Sequence, residues 1–499
     1  MNYVHTLNMS HSPPLSSTKY VLLIWSRPPS ATNLQWLENV GVSQRVIERA
    51  RTRDHHETPV LVDQRTRPLP YWSEFFGAIA PSLNPLSLRS YAYDARRLAN
   101  FLASRDANIV AATQTDLVAY RRSRTDADHD GVSEATWQRE KTLITLVYKF
   151  LVRRKIVERE PWITIGRRSP IDYPGVPGLP AIRFLSNDQW RVFREVGLGG
   201  QLPGGNLDPS WRGACPQRNI AGATLALSTG MRLREFCSVL EFEVPYMLDR
   251  TASFDIEATA KFSRRRTVHV PAETLRLIHL YRRTERADII RKTMPGRVKR
   301  RKDLAIVHRI DRQQHRVMAT FDGKEHVWDV ARMPSELRRL CVLETAEGLE
   351  PLSLFVGSNG LAIQRRAWGA IFDAASRRID RFRDSPLVPL MPAKVTPHDF
   401  RHTFAVVLLR YLMVKASERE SDRRRGEAGK GSMSDHLVHS PILSVQRLLG
   451  HASPLTTMTY LRYVEDTEQI VRRALDTWSD PDLTYADYIS QLFTQELKR

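Results

Sequence analysis

The sequence predicts a mostly α fold with a small antiparallel β-sheet, divided into an amino-terminal helical domain and a larger α+β domain. Three observations predict it. Between residues 66 and 165, apolar side chains recur at three- and four-residue steps, the stripe of amphipathic helices. A proline- and glycine-rich stretch, PWITIGRRSPIDYPGVPGLP, ends this block. Beyond it, helical patterns flank two strand-like segments joined by a basic turn.

Residues 1–65 mix Pro, Ser and Arg without sustained periodicity and read as an amino-terminal arm or accessory segment. In 66–165, Leu88, Tyr91, Ala95, Leu98 and Leu102 line one helix face, with Arg89, Arg96 and Arg97 opposite. Thr113 and Asp116 have capping-box spacing and open a second helix that ends in Arg121-Arg122. A third starts near Ser133 and carries Trp137, Ile144, Val147, Tyr148 and Leu151 on one side, with Arg139, Lys141 and Lys149 elsewhere. A small bundle with basic faces suits a DNA backbone, and equally suits a plain helical domain with solvated charges.

Residues 166–182 read as an extended linker, and 183–480 as the larger domain. Within it, Phe254–Ala258 and Thr267–Val270 form a hairpin pattern around Lys261-Phe262-Ser263-Arg264-Arg265-Arg266. Two stretches interrupt this domain. One, near 284–345, contains Arg297-Val298-Lys299-Arg300-Arg301-Lys302; the other, 415–436, is polar and charged and reads as a mobile loop. Asp466–Leu475 and Tyr485–Leu497 look like short amphipathic helices, the second within a carboxy-terminal tail, 481–499.

At 499 residues the chain can hold two or three cores. Its 75 Lys and Arg against 55 Asp and Glu give a net charge of +20, which suits a polyanionic partner such as nucleic acid. Cys215, Cys237 and Cys341 are far apart, which argues against a disulfide framework or a thiolate zinc site. The amino terminus lacks a signal-peptide profile, and the apolar run Tyr20–Trp25 is too short to span a bilayer, so a cytoplasmic protein is expected. The Gly-rich segment 197–205 lacks the Lys-Ser/Thr ending of a phosphate-binding P-loop.

Three boxes carry the chemistry. In Thr229-Gly230-Met231-Arg232-Leu233-Arg234-Glu235, a glycine turn feeds a helix, so Arg232 sits beside free backbone N–H groups with Glu235 one turn on. In Thr396-Pro397-His398-Asp399-Phe400-Arg401-His402, Thr396 and Asp399 cap a helix and Pro397 takes its first position. His398 and Arg401 then share one face of its first turn. His398 and His402 also have His-x-x-x-His spacing, but Asp399 stands where a zinc protease needs Glu, so no metal is expected. In the third box, Gly450 ends a helix, Ser453-Pro454 starts the next, His451 occupies the corner, and Tyr460 follows nine residues later. Tyr463 is a neighbour that periodicity does not separate from Tyr460.

A phenol with a pKa near ~10 needs nearby cations and a base to become a nucleophile. Arginine forks suit the charge of a phosphoryl transition state.

Together the boxes resemble the tyrosine recombinase (phage integrase) family, over roughly residues 68–470 and excepting the two interruptions. The resemblance implies a helical core-binding domain and an α+β integrase-type catalytic domain. It implies a site-specific recombinase, integrase or transposase, that cuts and rejoins DNA through a 3′-phosphotyrosine. Arg232 and Arg401 would clamp the scissile phosphate, His398 would accept or manage the tyrosine proton, and His451 would bond a phosphate oxygen. Tyr460 would attack, and Lys261 would protonate the departing 5′-oxygen, although Ala260 and Phe262 replace the glycines usual beside that lysine. No cofactor is implied. The implied partners are double-stranded DNA recombination sites and further copies in a tetramer, with partner recombinases or a directionality factor in some systems. Two other readings stay open: a type IB topoisomerase-like relaxing enzyme and a catalytically inactive DNA-binding accessory factor.

Overall fold

A computed structural model of the protein describes residues 21–26, 39, 58–126, 131–166, 168–174, 182–260, 265–424 and 440–463, without the side chains of 417–424. The chain divides into two compact units, 1–179 and 180–499.

In the first unit, strands β1 (Leu22–Ser26) and β2 (Thr58–Val62) pair antiparallel. They are followed by helices α1 (Trp72–Ile79), α2 (Pro85–Ser104), α3 (Gln114–Thr125) and α4 (Glu134–Arg153). Asn84, Thr113 and Ser133 cap α2, α3 and α4 with their side chains, and Asp116 completes the capping box of α3. Leu88, Ala95, Leu98, Leu102, Trp137, Ile144, Val147 and Leu151 fill the core, as the stripe requires. Val21 and Leu61 join them, so part of the expected arm belongs to this unit's core.

Two carboxylates are buried among these helices, and burial of a charge demands partners. Asp94 takes Arg97 at 2.8 Å and Arg139 at 2.7 Å; Glu140 takes Arg124 at 2.7 Å and the Tyr120 hydroxyl at 2.8 Å. Arg97 and Arg139, read from sequence as free basic surface, keep 45% and 40% of their side chains exposed but are tied to the buried Asp94. The stretch through 174, expected to be linker, also folds back: Trp162 and Ile171 are buried, and the Trp137 indole N–H donates to the Ile171 carbonyl at 2.9 Å. Residues 175–181 lie outside the described residues.

The second unit opens with α5 (Asn187–Val192), which widens into a π-helical turn over Phe193–Leu198. Next come α6 (Pro216–Thr229) and α7 (Leu233–Phe236), then the antiparallel hairpin β3 (Ala252–Ile256) and β4 (Arg266–Val270). Helices α8 (Ala272–Tyr281) and α9 (Ala287–Lys299) follow. The first interruption is a folded sheet: β5 (Ala305–Asp311), β6 (Arg316–Phe321), β7 (Lys324–Asp329), a short α10 (Ser335–Arg338), β8 (Cys341–Thr345) and β9 (Gly348–Pro351). Its order is β7-β6-β5-β8-β9, with β5 and β8 parallel. Period-two burial of Val317 and Ala319 in β6 turns one face onto a small core. Arg338, 1% exposed, moors it by pairing with Glu243 at 2.7 Å and donating to the Ser238 carbonyl beside α7.

The unit ends with α11 (Arg365–Asp380), α12 (Pro397–Arg424), α13 (Pro441–Leu449) and α14 (Pro454–Met458). Residues 415–424, expected to begin a mobile loop, continue α12 instead; 425–436 lie outside the described residues, as does everything after 463, including both expected tail helices. No helix among the described residues is long and apolar enough to cross a membrane.

Candidate active site

The first box is built on a left-handed turn. Gly230 (φ +61°) closes α6, and a Cβ there would lie 2.4 Å from Phe404, so only glycine fits. The turn makes Arg232 the N-cap of α7. Glu235, 1% exposed, accepts the Arg232 backbone N–H at 2.7 Å and its guanidinium at 3.1 Å. It also takes both terminal nitrogens of Arg266, at 3.0 and 2.5 Å, across from β4. Burial alone would raise the Glu235 carboxyl; the bonds and charge of Arg266, joined by Arg232, hold it below its ordinary value.

The second box starts α12. Thr396 and Asp399 exchange hydrogen bonds as a capping box, and Arg183 pairs with Asp399 at 3.1 Å. Arg401, on the next turn, is 1% exposed. It donates to the Gly230 carbonyl at 2.7 Å and the Leu449 carbonyl at 2.5 Å, the carboxy-terminal ends of α6 and α13, where helix dipoles favour a cation. Burial, with Arg232 and Arg266 nearby and Glu235 opposing, pushes its pKa down to about 9, so it stays cationic at neutral pH.

The third box turns at Gly450 (φ +62°), and Ser453 caps α14. His451 is fixed by a 2.9 Å bond between its Nδ1 and the Thr457 hydroxyl. Tyr460 is 3% exposed, its ring parallel to that of His451 with centroids 6.1 Å apart. Its hydroxyl bonds Nδ1 of His402 at 3.0 Å, and the His402 ring meets His398 edge-on at 4.3 Å. Tyr463 points elsewhere, accepting the Ile182 N–H at 2.8 Å and packing on Phe184.

Burial raises the Tyr460 phenol, and Arg401 and Arg232 pull against it. Burial and the neighbouring cations lower all three histidines, His402 to about 4 and His451 to about 3, so each is neutral at pH 7. A basic cleft of about 570 Å³ opens beside them, lined by Arg265, Arg266, His269, Arg447 and His451.

Arg232, His398, Arg401, His451 and Tyr460 thus converge from segments far apart in sequence, whereas Lys261 lies outside the described residues, between β3 and β4. Sequence reasoning missed two participants. The sequence presents Arg266 only as the end of a basic turn, and His402 only as half of a zinc spacing; its place one turn after His398 is the available signal. Among the described residues, no three His, Cys, Asp or Glu side chains group as a metal site.

Residues 78–155 match the family described as phage integrase, N-terminal SAM-like domain. No curated protein matches the chain. Among solved structures it is similar to the Tn1549 transposon integrase in complex with transposon right end DNA, at 14% identity over 81% of this chain and 98% of that one, with a TM-score of 0.45. It is also similar to the XerH site-specific recombinase bound to palindromic difH substrate, at 15% identity over 82% and 84% of the two chains, with a TM-score of 0.44. The family likeness thus rests on residues 78–155, which are similar to the phage integrase N-terminal SAM-like domain.

Proposed function

We propose that this protein is a site-specific DNA recombinase that cuts and rejoins DNA through a 3′-phosphotyrosine on Tyr460 and exchanges strands between two sites. One observation carries the reading: a buried tyrosine hydroxyl sits on a neutral imidazole, near three guanidiniums, two of which share one carboxylate. That excess positive charge suits a phosphodiester whose charge grows in the transition state.

In this reading the helical unit grips the duplex and the larger unit holds the chemistry. Arg232 and Arg401 clamp the non-bridging oxygens. In the tautomer this reading requires, His451 carries its proton on Nε2, accepts from the Thr457 hydroxyl at Nδ1, and can give the proton to a phosphate oxygen. His398, edge-on to His402, belongs to the group that manages the phenolic proton, and Lys261 protonates the leaving 5′-oxygen. The ester conserves the bond energy, so a second 5′-hydroxyl reverses the step without a cofactor. Strand exchange between two sites calls for a homo-oligomer, a tetramer on paired duplexes. The enzyme acts in the cytoplasm.

The test is a nicked suicide substrate made from the element's end DNA. A covalent protein–DNA adduct in the wild type that Tyr460→Phe abolishes is the expected result. An adduct in both would move the nucleophile, to Tyr463 first. Tight binding without an adduct would favour an accessory factor, and relaxation of any supercoiled plasmid would favour a topoisomerase.

A further inference from the structure

We propose that His402 is the group that takes the phenolic proton from Tyr460 during attack; this rests on the reading of Tyr460 as the nucleophile. The argument is geometric. A general base must lie within about 2.6–3.2 Å of the proton-bearing atom, and Nδ1 of His402 is 3.0 Å from the Tyr460 hydroxyl. Among the described residues, neither His398 nor His451 bonds that hydroxyl. Nδ1 of His451 is occupied by Thr457, and its ring lies parallel to the phenol. His398 reaches the tyrosine only through His402, whose ring it meets edge-on at 4.3 Å.

The surroundings keep this imidazole in its accepting form. It is held in a partly buried place, with His398 and Arg401 on its own helix and Arg183 from the segment before α5. All three disfavour a proton on the ring. With its one proton on Nε2, Nδ1 offers a lone pair to the phenol.

The step balances within the site. The Tyr460 O–H bond breaks as the Tyr460 oxygen bonds phosphorus, and the proton moves to Nδ1 to give an imidazolium. The P–O5′ bond breaks, and the departing oxygen takes its proton from a separate acid, Lys261 in the reading above. On rejoining, the imidazolium returns its proton to the phenolate.

The experiment measures single-turnover cleavage by His402→Asn, whose side-chain oxygen can keep the bond to Tyr460 but cannot hold the proton. Melting and DNA affinity should match the wild type while cleavage falls about 10²- to 10⁴-fold, the usual yield of a positioned base. Placing 3,5-difluorotyrosine, whose phenol is far more acidic than that of tyrosine, at position 460 should restore most of that loss. A substrate with a 5′-bridging sulfur, which needs no acid to leave, should not restore it. Wild-type cleavage by His402→Asn would overturn the proposal, as would a defect that the sulfur substrate rescues or the fluorinated tyrosine does not. If His402→Asn fails to fold, difluorotyrosine in the otherwise intact enzyme decides: the acid limb of the pH–rate profile should weaken, and an unchanged limb would reject the base. A wild type that forms no adduct would instead sink the nucleophile assignment itself.

Discussion

Glu235→Gln removes the one carboxylate that Arg232 and Arg266 share while leaving its shape in place. In the Glu235–Arg266 pair the side chains are 0% and 5% exposed, so water cannot replace the lost charge. Breaking a buried pair by removing one partner costs about 3–5 kcal/mol. Arg232 adds little to that, because its side chain is 24% exposed and partly screened. Glutamine keeps one acceptor oxygen, which places the expected loss near the lower bound, about 3 kcal/mol. At roughly 2–4 °C per kcal/mol, calorimetry should show a melting point about 6–12 °C lower. The double variant Glu235→Gln/Arg266→Met removes the stranded guanidinium as well, and should recover on the order of 1–3 kcal/mol relative to additivity. A single-variant loss below about 1 kcal/mol, or strict additivity in the cycle, would refute the claim that this carboxylate holds the arginine cluster together.

Three other outcomes are expected. Gly230→Ala strains a positive-φ turn and drives a methyl group into Phe404, so it should destabilise by about 1–3 kcal/mol in urea titrations and weaken cleavage through Arg232; a neutral substitution would contradict the turn geometry. Folded pKa values of about 4 for His402 and 3 for His451 lie below the ordinary 6.5, so the unfolded chain binds more protons between them. Their stabilisation is complete above pH 6.5 and drains away as pH falls, so the urea midpoint should drop from pH 7.5 to 5, and by less in a His402→Asn/His451→Asn variant. DNA affinity should fall linearly in a plot of log K against log salt, because backbone contacts release counterions; a flat line would remove the backbone grip.

The boxes were legible because their chemistry sits at helix ends, and helix ends advertise themselves through local residues. Thr396-Pro397 with Asp399, Gly450 before Ser453-Pro454, and Gly230 before Arg232 all took the conformations that their types favour. Partnerships across long loops were not legible. Arg266 meets Glu235 from 31 residues away and Tyr460 meets His402 from 58, and no spacing rule reports such contacts. Surface charge hid a partnership for a related reason: Arg97 and Arg139 are partly solvated, and no spacing reports that both pair with the buried Asp94. The sheet over 305–351 was hidden by its basic flanks, although β6 and β9 bury alternate residues as half-buried strands do.

Arg401 has a consequence beyond electrostatics. By donating to the last carbonyls of two helices, one guanidinium fastens its own stretch to two others, 171 and 48 residues away in sequence. The cation that would grip a scissile phosphate is therefore assembled by the same bonds that complete the fold. A chain released half-made, or clipped before α13, has no second anchor for this side chain and no finished site. The arrangement works as an interlock: the site is complete only once the fold is.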